Sequence, residues 1–244
     1  MGIAGRAPPG EHVAVVGAAY RSGAMVSESG RLFRKQGGAG WIVLADRLPE
    51  IGGSLRVLGE RLLERIDLSR RPICVASAEA DLDEVETFVE DLEGWLGSEA
   101  LLLVPEELLD LDWRKAGLVV ITGGPPSVWV SVLASRDPEA PGLVEADEGT
   151  LLYVVGEAAE AMGSWIVQSD GLRLSGIGWL RGAVVLAGRA EPASVSGVPE
   201  LLSREDHSYA LGLGEEAVLA LGPVGEVEVW GEARPTITLG RGWR

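Results

Sequence analysis

Short apolar runs recur along the chain, and longer amphipathic stretches separate them. Short runs rich in Val, Ile and Leu, bounded by glycine, proline or charged residues, are typical of strands buried on both faces of a parallel sheet. Such runs predict buried strands at residues 13–17, 41–45, 73–76, 101–104, 118–122 and 151–155.

Two segments between these strands carry apolar residues at the three- and four-residue spacing of an amphipathic helix. In the first, the apolar positions are Leu55, Leu58, Leu62 and Ile66. In the second, they are Leu82, Val85, Phe88, Val89, Leu92, Trp95 and Leu96. Carboxylates crowd the start of the second segment, where they favour the positive end of a helix dipole, so we interpret them as a helix start rather than a metal site.

The order of strands and helices predicts an α/β fold with a doubly wound, mostly parallel sheet and helices on both faces. Residues 226–230 and 236–239 alternate polar and apolar side chains, which is typical of antiparallel strands at a sheet edge. A chain of 244 residues with 46% hydrophobic content can bury a large core. We therefore expect one domain over residues 13–244, after a flexible segment at 1–12.

The carboxyl ends of parallel strands are where such folds bind ligands. The predicted strands at 118–122 and 151–155 end on one rim of the sheet. That rim brings together Gly123, Gly124, Glu157, Ala158 and Glu160. These residues form the candidate site.

Residues 149–163 read GTLLYVVGEAAEAMG, an apolar strand that leads through a glycine into a helical segment. This is the layout of a nucleophile elbow, in which a serine or cysteine stands exposed on a tight bend between strand and helix. Ala158 stands in the nucleophile's place. Ser164 is predicted to lie two turns into the helix, past the bend, and is a poor nucleophile candidate.

The same run resembles the G-T-S-A-G-A-x-x-M-G of the cyanophycinase and alpha-aspartyl dipeptidase group of serine peptidases, in the class I glutamine amidotransferase-like superfamily. The matching positions are Gly156, Ala159, Ala161 and Gly163. The departures are Glu157, Ala158 and Glu160. The alanine replaces the serine, and the second glutamate replaces a glycine that lets the turn close tightly. The resemblance implies the superfamily's fold without its catalytic serine.

Three further segments follow the family's pattern in the same order along the chain. Residues 119–124 resemble the apolar strand and T-G-G of a segment that ends in T-G-G-D-Q, and Pro125 and Pro126 stand in place of the last two residues. Residues 175–182 resemble G-L-G-L-L-P-G, and residues 210–219 resemble L-G-I-G-I-D-E-x-T-A-L. In active members a strand between them ends near D-Q-H-F; here residues 185–189 read VLAGR, so the resemblance implies that the catalytic histidine is also missing.

The sequence therefore predicts a non-catalytic, cyanophycinase-like protein, a pseudoenzyme with a binding or structural role. We expect it to bind a small molecule or peptide without a cofactor. The predicted ligand-binding residues are Gly123, Gly124, Gly156, Glu157, Ala159 and Glu160. Two alternatives stay open: an active hydrolase of peptide or amide bonds with an unconventional nucleophile, and a subunit of a larger complex whose partner contacts the cleft.

Weak catalytic candidates remain at Glu157, Glu160 and His207. Two nearby carboxylates with different pKa values would suit general-base work, although capping of the following helix is the simpler role. His207 stands between an acid and a serine, but triad partners meet through the fold, so we favour an ordinary loop histidine. His12 is the other histidine, and a metal centre of several histidines is therefore not predicted.

Charge and composition exclude several partners and suggest a location. A net charge of −16 opposes binding to nucleic acid and to anionic membranes, and no apolar run reaches the length of a membrane helix.

Cys74 is the single cysteine, which predicts a buried thiol in a reducing cytoplasm. Asparagine is absent and Arg outnumbers Lys 19 to 2, which suggests a heat-tolerant source. The 8 tryptophans include several near predicted turns and edge strands, which permits a homodimer.

Overall fold

The structure is a computed structural model that describes residues 40–49, 56–77, 81–110, 112, 115–134 and 149–243. Its strands are β1 Trp41–Ala45, β2 Arg71–Ala76, β3 Leu101–Leu103, β4 Ala116–Thr122, β5 Leu151–Val155, β6 Gly163–Val167, β7 Arg173–Ser175, β8 Leu180–Ala187, β9 Tyr209–Leu213, β10 Val218–Leu221, β11 Val227–Val229 and β12 Thr236–Leu239. Its α-helices are α1 Arg56–Leu63, α2 Leu82–Leu96, α3 Pro126–Ala134, α4 Glu157–Glu160 and α5 Val198–Arg204. Two 3₁₀ helices span Pro105–Asp110 and Pro192–Ser194.

Most of the predicted strands and helices are confirmed. The five buried strands predicted from residue 41 onwards correspond to β1 to β5, and the two predicted edge strands correspond to β11 and β12. The two amphipathic segments form α1 and α2. The strand predicted at 13–17 and the flexible segment predicted at 1–12 lie outside the described residues.

The start of α2 shows why the acidic cluster there serves the helix. The Asp81 side chain accepts hydrogen bonds from the backbone N–H groups of Asp83 and Glu84 over 3.1 and 3.3 Å, which satisfies donors that have no partner within the helix. Gly97 ends the helix in a left-handed conformation with φ 66°.

Among the described residues, the first sheet has seven strands in the order β11-β10-β1-β5-β4-β2-β3. The five strands from β1 to β3 in that order pair in parallel, and β10 and β11 add antiparallel pairs at one edge. The chain is thus a mixed α/β protein with a mostly parallel sheet. β1, β5 and β4 lie side by side, so their carboxyl ends meet on one rim.

A second sheet of five strands was not predicted. Its order is β12-β9-β8-β6-β7, with parallel pairs in the middle and antiparallel pairs at both edges. The expectation of a single sheet is therefore corrected to two sheets, whereas helices do lie on both faces of the first sheet. α1 and α2 cover one face of the first sheet, whereas α3, α4 and the second sheet share the other face.

Apolar packing arranges the molecule in layers. Phe88 and Leu92 of α2 pack on one face of the first sheet. On the opposite face Trp129 of α3 shares a core with Leu211 of the second sheet, and the outer side of that sheet packs against Leu201 of α5. Each such side chain stabilises the fold by about 1.5–3 kcal/mol on burial.

The helix after β5 is much shorter than predicted. α4 ends at Glu160, and β6 begins at Gly163, so Ser164 lies in a strand instead of a helix. The run Trp165, Ile166, Val167 contains β-branched and aromatic side chains that favour strands, and β6 pairs with both β7 and β8. Tertiary pairing therefore decides the conformation here.

Candidate functional site

The chain bends sharply where β5 ends. Gly156 has φ 60° and ψ −139°, a combination that is essentially restricted to glycine. Its N–H donates a hydrogen bond to the Ala45 carbonyl at the end of β1 over 3.0 Å. α4 begins at the next residue, Glu157. A buried strand, a bend in a glycine-only backbone region and a helix together have the geometry of a nucleophile elbow, but the residue on this bend carries no side chain.

The bend falls two residues earlier than the sequence predicts. Ala158 is 0% exposed and lies in α4, within the core between the two sheets, and Ala159 is equally buried. A Cβ built on Gly156 would lie 3.4 Å from the Asp46 carbonyl oxygen and within 4 Å of no other described atom outside its chain neighbours, so a side chain there has room. Gly156, and not Ala158, has the backbone position from which an elbow nucleophile projects.

A cleft of about 430 Å³ opens over the carboxyl ends of β1, β4 and β5. Residues 46–48 line it after β1, residues 122–125 at the end of β4, and residues 155–157 at the end of β5, with Glu84 of α2 at one side. The predicted ligand-binding residues Gly123, Gly124, Gly156 and Glu157 belong to this lining. Ala159 and Glu160 lie outside it.

Two consecutive glycines shape the cleft at the end of β4. Gly123 and Gly124 have φ of 72° and 67°, in the left-handed region. A Cβ on Gly124 would collide with the side chain of Ser77, which directly follows the neighbouring strand β2. The Gly123 carbonyl accepts a hydrogen bond from Trp129 Nε1 over 2.6 Å, so α3 fixes this turn.

The cleft is acidic. Asp46, Glu84 and Glu157 line it, and no hydrogen bond or ion pair joins these carboxylates to any of the described residues. Among the described residues, Arg47 is the cation that lines the cleft, and it pairs with Glu215 over 3.4 Å and with Glu216 over 3.0 Å. Both of these partners lie outside the lining of the cleft.

Glu160 faces the second sheet. Its Oε1 accepts a hydrogen bond from the Ala187 N–H over 3.1 Å. Burial raises the pKa of this carboxyl from 4.5 to about 7, against the lowering effect of the Ala187 hydrogen bond; Glu157 raises the pKa further, and Arg189 lowers it. Glu160 is thus a partly buried carboxyl that changes charge near neutral pH.

His207 lies away from the cleft. It is exposed, with φ 55°, and its ring contacts Trp243 edge-on at 6.0 Å between centroids. Its neighbours have other partners, because Asp206 pairs with Arg241 over 2.7 Å and the Ser208 hydroxyl donates to the Glu205 carbonyl over 2.7 Å. The three adjacent side chains form no triad.

The end of β8 reaches the same rim from the second sheet. A Cβ on Gly188, directly after β8, would lie 3.3 Å from Asp46 Oδ1. Asp46 and Glu84 were not among the site residues predicted from the sequence. Asp46 follows a predicted buried strand, so the rule that placed Gly123 on the rim also applies to it; Glu84 reaches the cleft only through the packing of α2.

The described residues contain no group of three or more His, Cys, Asp or Glu side chains placed to hold a metal ion. Within the same part of the chain, no helix is long and apolar enough to cross a membrane.

Comparisons with known proteins bear on the fold. No protein-family model and no curated protein sequence matches the chain. Among solved structures, a peptidase from an acI-B1 Actinobacterium is similar, with a TM-score of 0.60 and 18% sequence identity over 85% of this chain and 93% of that chain. The chain therefore has a peptidase-like α/β fold.

Proposed function

We propose that this chain is a non-catalytic member of the class I glutamine amidotransferase-like superfamily, related to the cyanophycinase group, that binds a small molecule or peptide in the cleft. The observation that carries this proposal is the chemistry of the lining. None of the described residues that line the cleft is Ser, Cys or His, and the strained bend is a glycine. Nucleophilic hydrolysis needs an activated side chain, usually one paired with a base.

The fold-level likeness to a peptidase supports the elbow interpretation. β5, Gly156 and α4 have the order and strain of an elbow, and β8 ends beside the same rim at Gly188 and Arg189. In the family that the sequence resembles, the elbow carries the serine, and the histidine follows the later strand. Here the motif of the sequence places Ala158 at the serine, the bend itself is Gly156, and the residues after β8 are Gly188 and Arg189.

The test is hydrolysis of aspartyl dipeptides and cyanophycin-like peptides by the wild type, Gly156→Ser and Ala158→Ser. We expect no turnover by the wild type. Gly156→Ser would place a hydroxyl on the bend, whereas Ala158→Ser would place it in the core, so the second variant is the matched control. Turnover gained only by Gly156→Ser would support the elbow position, and turnover by the wild type would overturn the pseudoenzyme proposal.

One observation favours an active hydrolase instead. Glu160 has a pKa of about 7 beside a second carboxylate, Glu157, and such pairs suit general acid–base work. Under this alternative, wild-type turnover would be lost in Glu160→Gln and retained in Glu191→Gln, which removes an exposed carboxylate elsewhere.

A further inference from the structure

The edge strand β12 of the second sheet has free backbone groups. It pairs with β9 on one side, and among the described residues no strand pairs with its other side. The Gly240 N–H donates to the Ser208 carbonyl over 2.8 Å, so the alternation of an antiparallel ladder turns the backbone groups of Thr238 towards β9. The N–H and C=O groups of Ile237 and Leu239 therefore point away from the sheet.

The free stretch of this edge is closed at both ends. The next outward position before it is Pro235, which has no N–H to donate. The next outward position after it is Arg241, whose N–H donates to the Leu202 carbonyl of α5 over 2.9 Å and whose carbonyl accepts from the His207 N–H over 2.7 Å. The free groups are thus confined to the two residues that flank Thr238, and they are symmetric about it.

No charged side chain guards β12. Its four residues are Thr, Ile, Thr and Leu, and Leu239 is 42% exposed. The other edge of the same sheet, β7, carries Arg173, which pairs with Glu205 over 3.5 Å. An edge without charge, bulge or proline is a template for pairing with another chain. An uncharged strand also brings no like charges together when two copies of this chain, each with a net charge of −16, meet there.

A groove of about 420 Å³ lies between β12 and α5. Its lining includes Pro199 and Leu202 of α5 on one side and Thr238 and Leu239 of β12 on the other. The groove separates α5 from the edge of the sheet, so α5 leaves space for a second strand beside β12.

We propose that β12 is a dimer interface, where it pairs antiparallel with β12 of a second copy about a two-fold axis at Thr238. Ile237 then lies opposite the partner's Leu239, and Leu239 lies opposite the partner's Ile237. Each of these two pairs forms two backbone hydrogen bonds, and the four bonds use every free N–H and C=O of both residues. The exposed Leu239 side chain packs beside the partner's Ile237.

The symmetry of the free stretch favours a second copy over a strand of another protein. A two-fold contact uses the same patch on both subunits, so the patch must be complementary to itself. Two free residues centred on Thr238, with closed positions on either side, meet this condition. The interface contains none of the residues that line the cleft, so it does not depend on the proposed function.

The first test is sedimentation equilibrium of the full chain from about 10 µM to about 1 mM, in about 0.15 M salt to screen the net charge. One pair of strands buries less area than a standard interface, so we expect a weak dimer with a dissociation constant on the order of 0.1 mM. Leu239→Lys guards the edge with charge and should weaken dimerisation at least about tenfold. Leu174→Lys is the matched control, because Leu174 is 41% exposed on β7 at the other edge, and it should leave dimerisation unchanged.

The second test reads the register of the two strands. At the axis, the Cα atoms of the two Thr238 residues would be about 4.5 Å apart, a separation that a disulfide spans. Thr238→Cys should therefore cross-link two chains when oxidised glutathione is added. Thr236→Cys, which lies opposite the partner's Gly240, should not. Both variants carry Cys74→Ala, so that the introduced thiol is the single one.

Three results would overturn the proposal. A chain that stays monomeric at about 1 mM would mean that β12 does not pair with a second copy. Equal weakening by Leu239→Lys and Leu174→Lys would mean that the contact lies elsewhere, and equal cross-linking of Thr238→Cys and Thr236→Cys would exclude this register. Circular dichroism shows whether each variant folds. Peptide turnover is measured separately, so failure of the pseudoenzyme proposal and failure of the dimer give different results.

Discussion

The Glu160 carboxylate of α4 accepts a hydrogen bond from the Ala187 N–H at the end of β8 over 3.1 Å. This bond joins the turn after β5 in the first sheet to a central strand of the second sheet. Because burial raises the pKa of Glu160 to about 7, the charge at this junction changes near neutral pH.

Glu160 should make folding stability depend on pH. Its pKa is higher in the folded chain, about 7, than the ordinary value of 4.5. The folded state therefore binds the proton more tightly than the unfolded state does, and this binding adds to the free energy of unfolding. The contribution is fully present below about pH 4.5 and is lost as the pH rises through about 7. The change corresponds to about 3 kcal/mol in the free energy of unfolding.

Glu160→Gln tests this dependence, since the amide stays neutral and keeps an oxygen that can accept from Ala187. In urea unfolding we expect the variant and the wild type to be similar at about pH 4, and the variant to be more stable by up to about 3 kcal/mol at about pH 8. Glu191→Gln, at an exposed carboxylate, should differ from the wild type by less than about 0.5 kcal/mol at both pH values. If the difference in the free energy of unfolding between Glu160→Gln and the wild type were the same at both pH values, the raised pKa would be contradicted.

The strain at Gly156 predicts opposite effects of one substitution at two glycines. Gly156→Ala forces a Cβ into a backbone region reserved for glycine and should lower the free energy of unfolding by about 1–3 kcal/mol. Gly94 lies inside α2 with no atom within 4 Å of a built Cβ, so Gly94→Ala should stabilise by about 1 kcal/mol. Thermal melts of both variants measure the two shifts, and a neutral Gly156→Ala would mean that the bend relaxes without cost.

The strands were predictable because each is a short apolar run with a clear boundary. β4 and β5 are buried along their whole length, as the absence of polar residues in 118–121 and 151–155 indicates. The edge strands β11 and β12 were predictable for the opposite reason, because they alternate polar and apolar side chains. These patterns are local, so one sequence suffices to find them.

The second sheet and the position of the bend depend on contacts between distant residues. β6 follows α4 so closely that the segment has the apolar pattern of a continuing helix, and its pairing with β8 decides otherwise. The bend falls at Gly156 because its N–H bonds to Ala45 at the end of β1. The place of Glu84 in the cleft was equally inaccessible, because this residue reaches the cleft only when α2 packs on the sheet.

Thr150 connects three elements at the opposite, amino-terminal end of the strands. Its side chain is fully buried, its hydroxyl donates to the Ala116 carbonyl over 2.9 Å, and it accepts from Arg70 Nη1 over 3.1 Å. Thr150→Val keeps the shape but leaves the carbonyl oxygen without this donor, which should cost about 1–3 kcal/mol. Urea unfolding at a constant m-value measures the loss.

Thr87→Val is the matched control for Thr150→Val, because it removes the same hydroxyl from a different environment. The Thr87 hydroxyl donates to the Asp83 carbonyl over 2.8 Å on the exposed side of α2, where water can replace it. We expect a change of less than about 0.5 kcal/mol. Equal losses in the two variants would show that burial adds nothing to the Thr150 hydrogen bonds, whereas a loss confined to Thr150→Val would locate part of the fold's stability at the rim opposite the cleft.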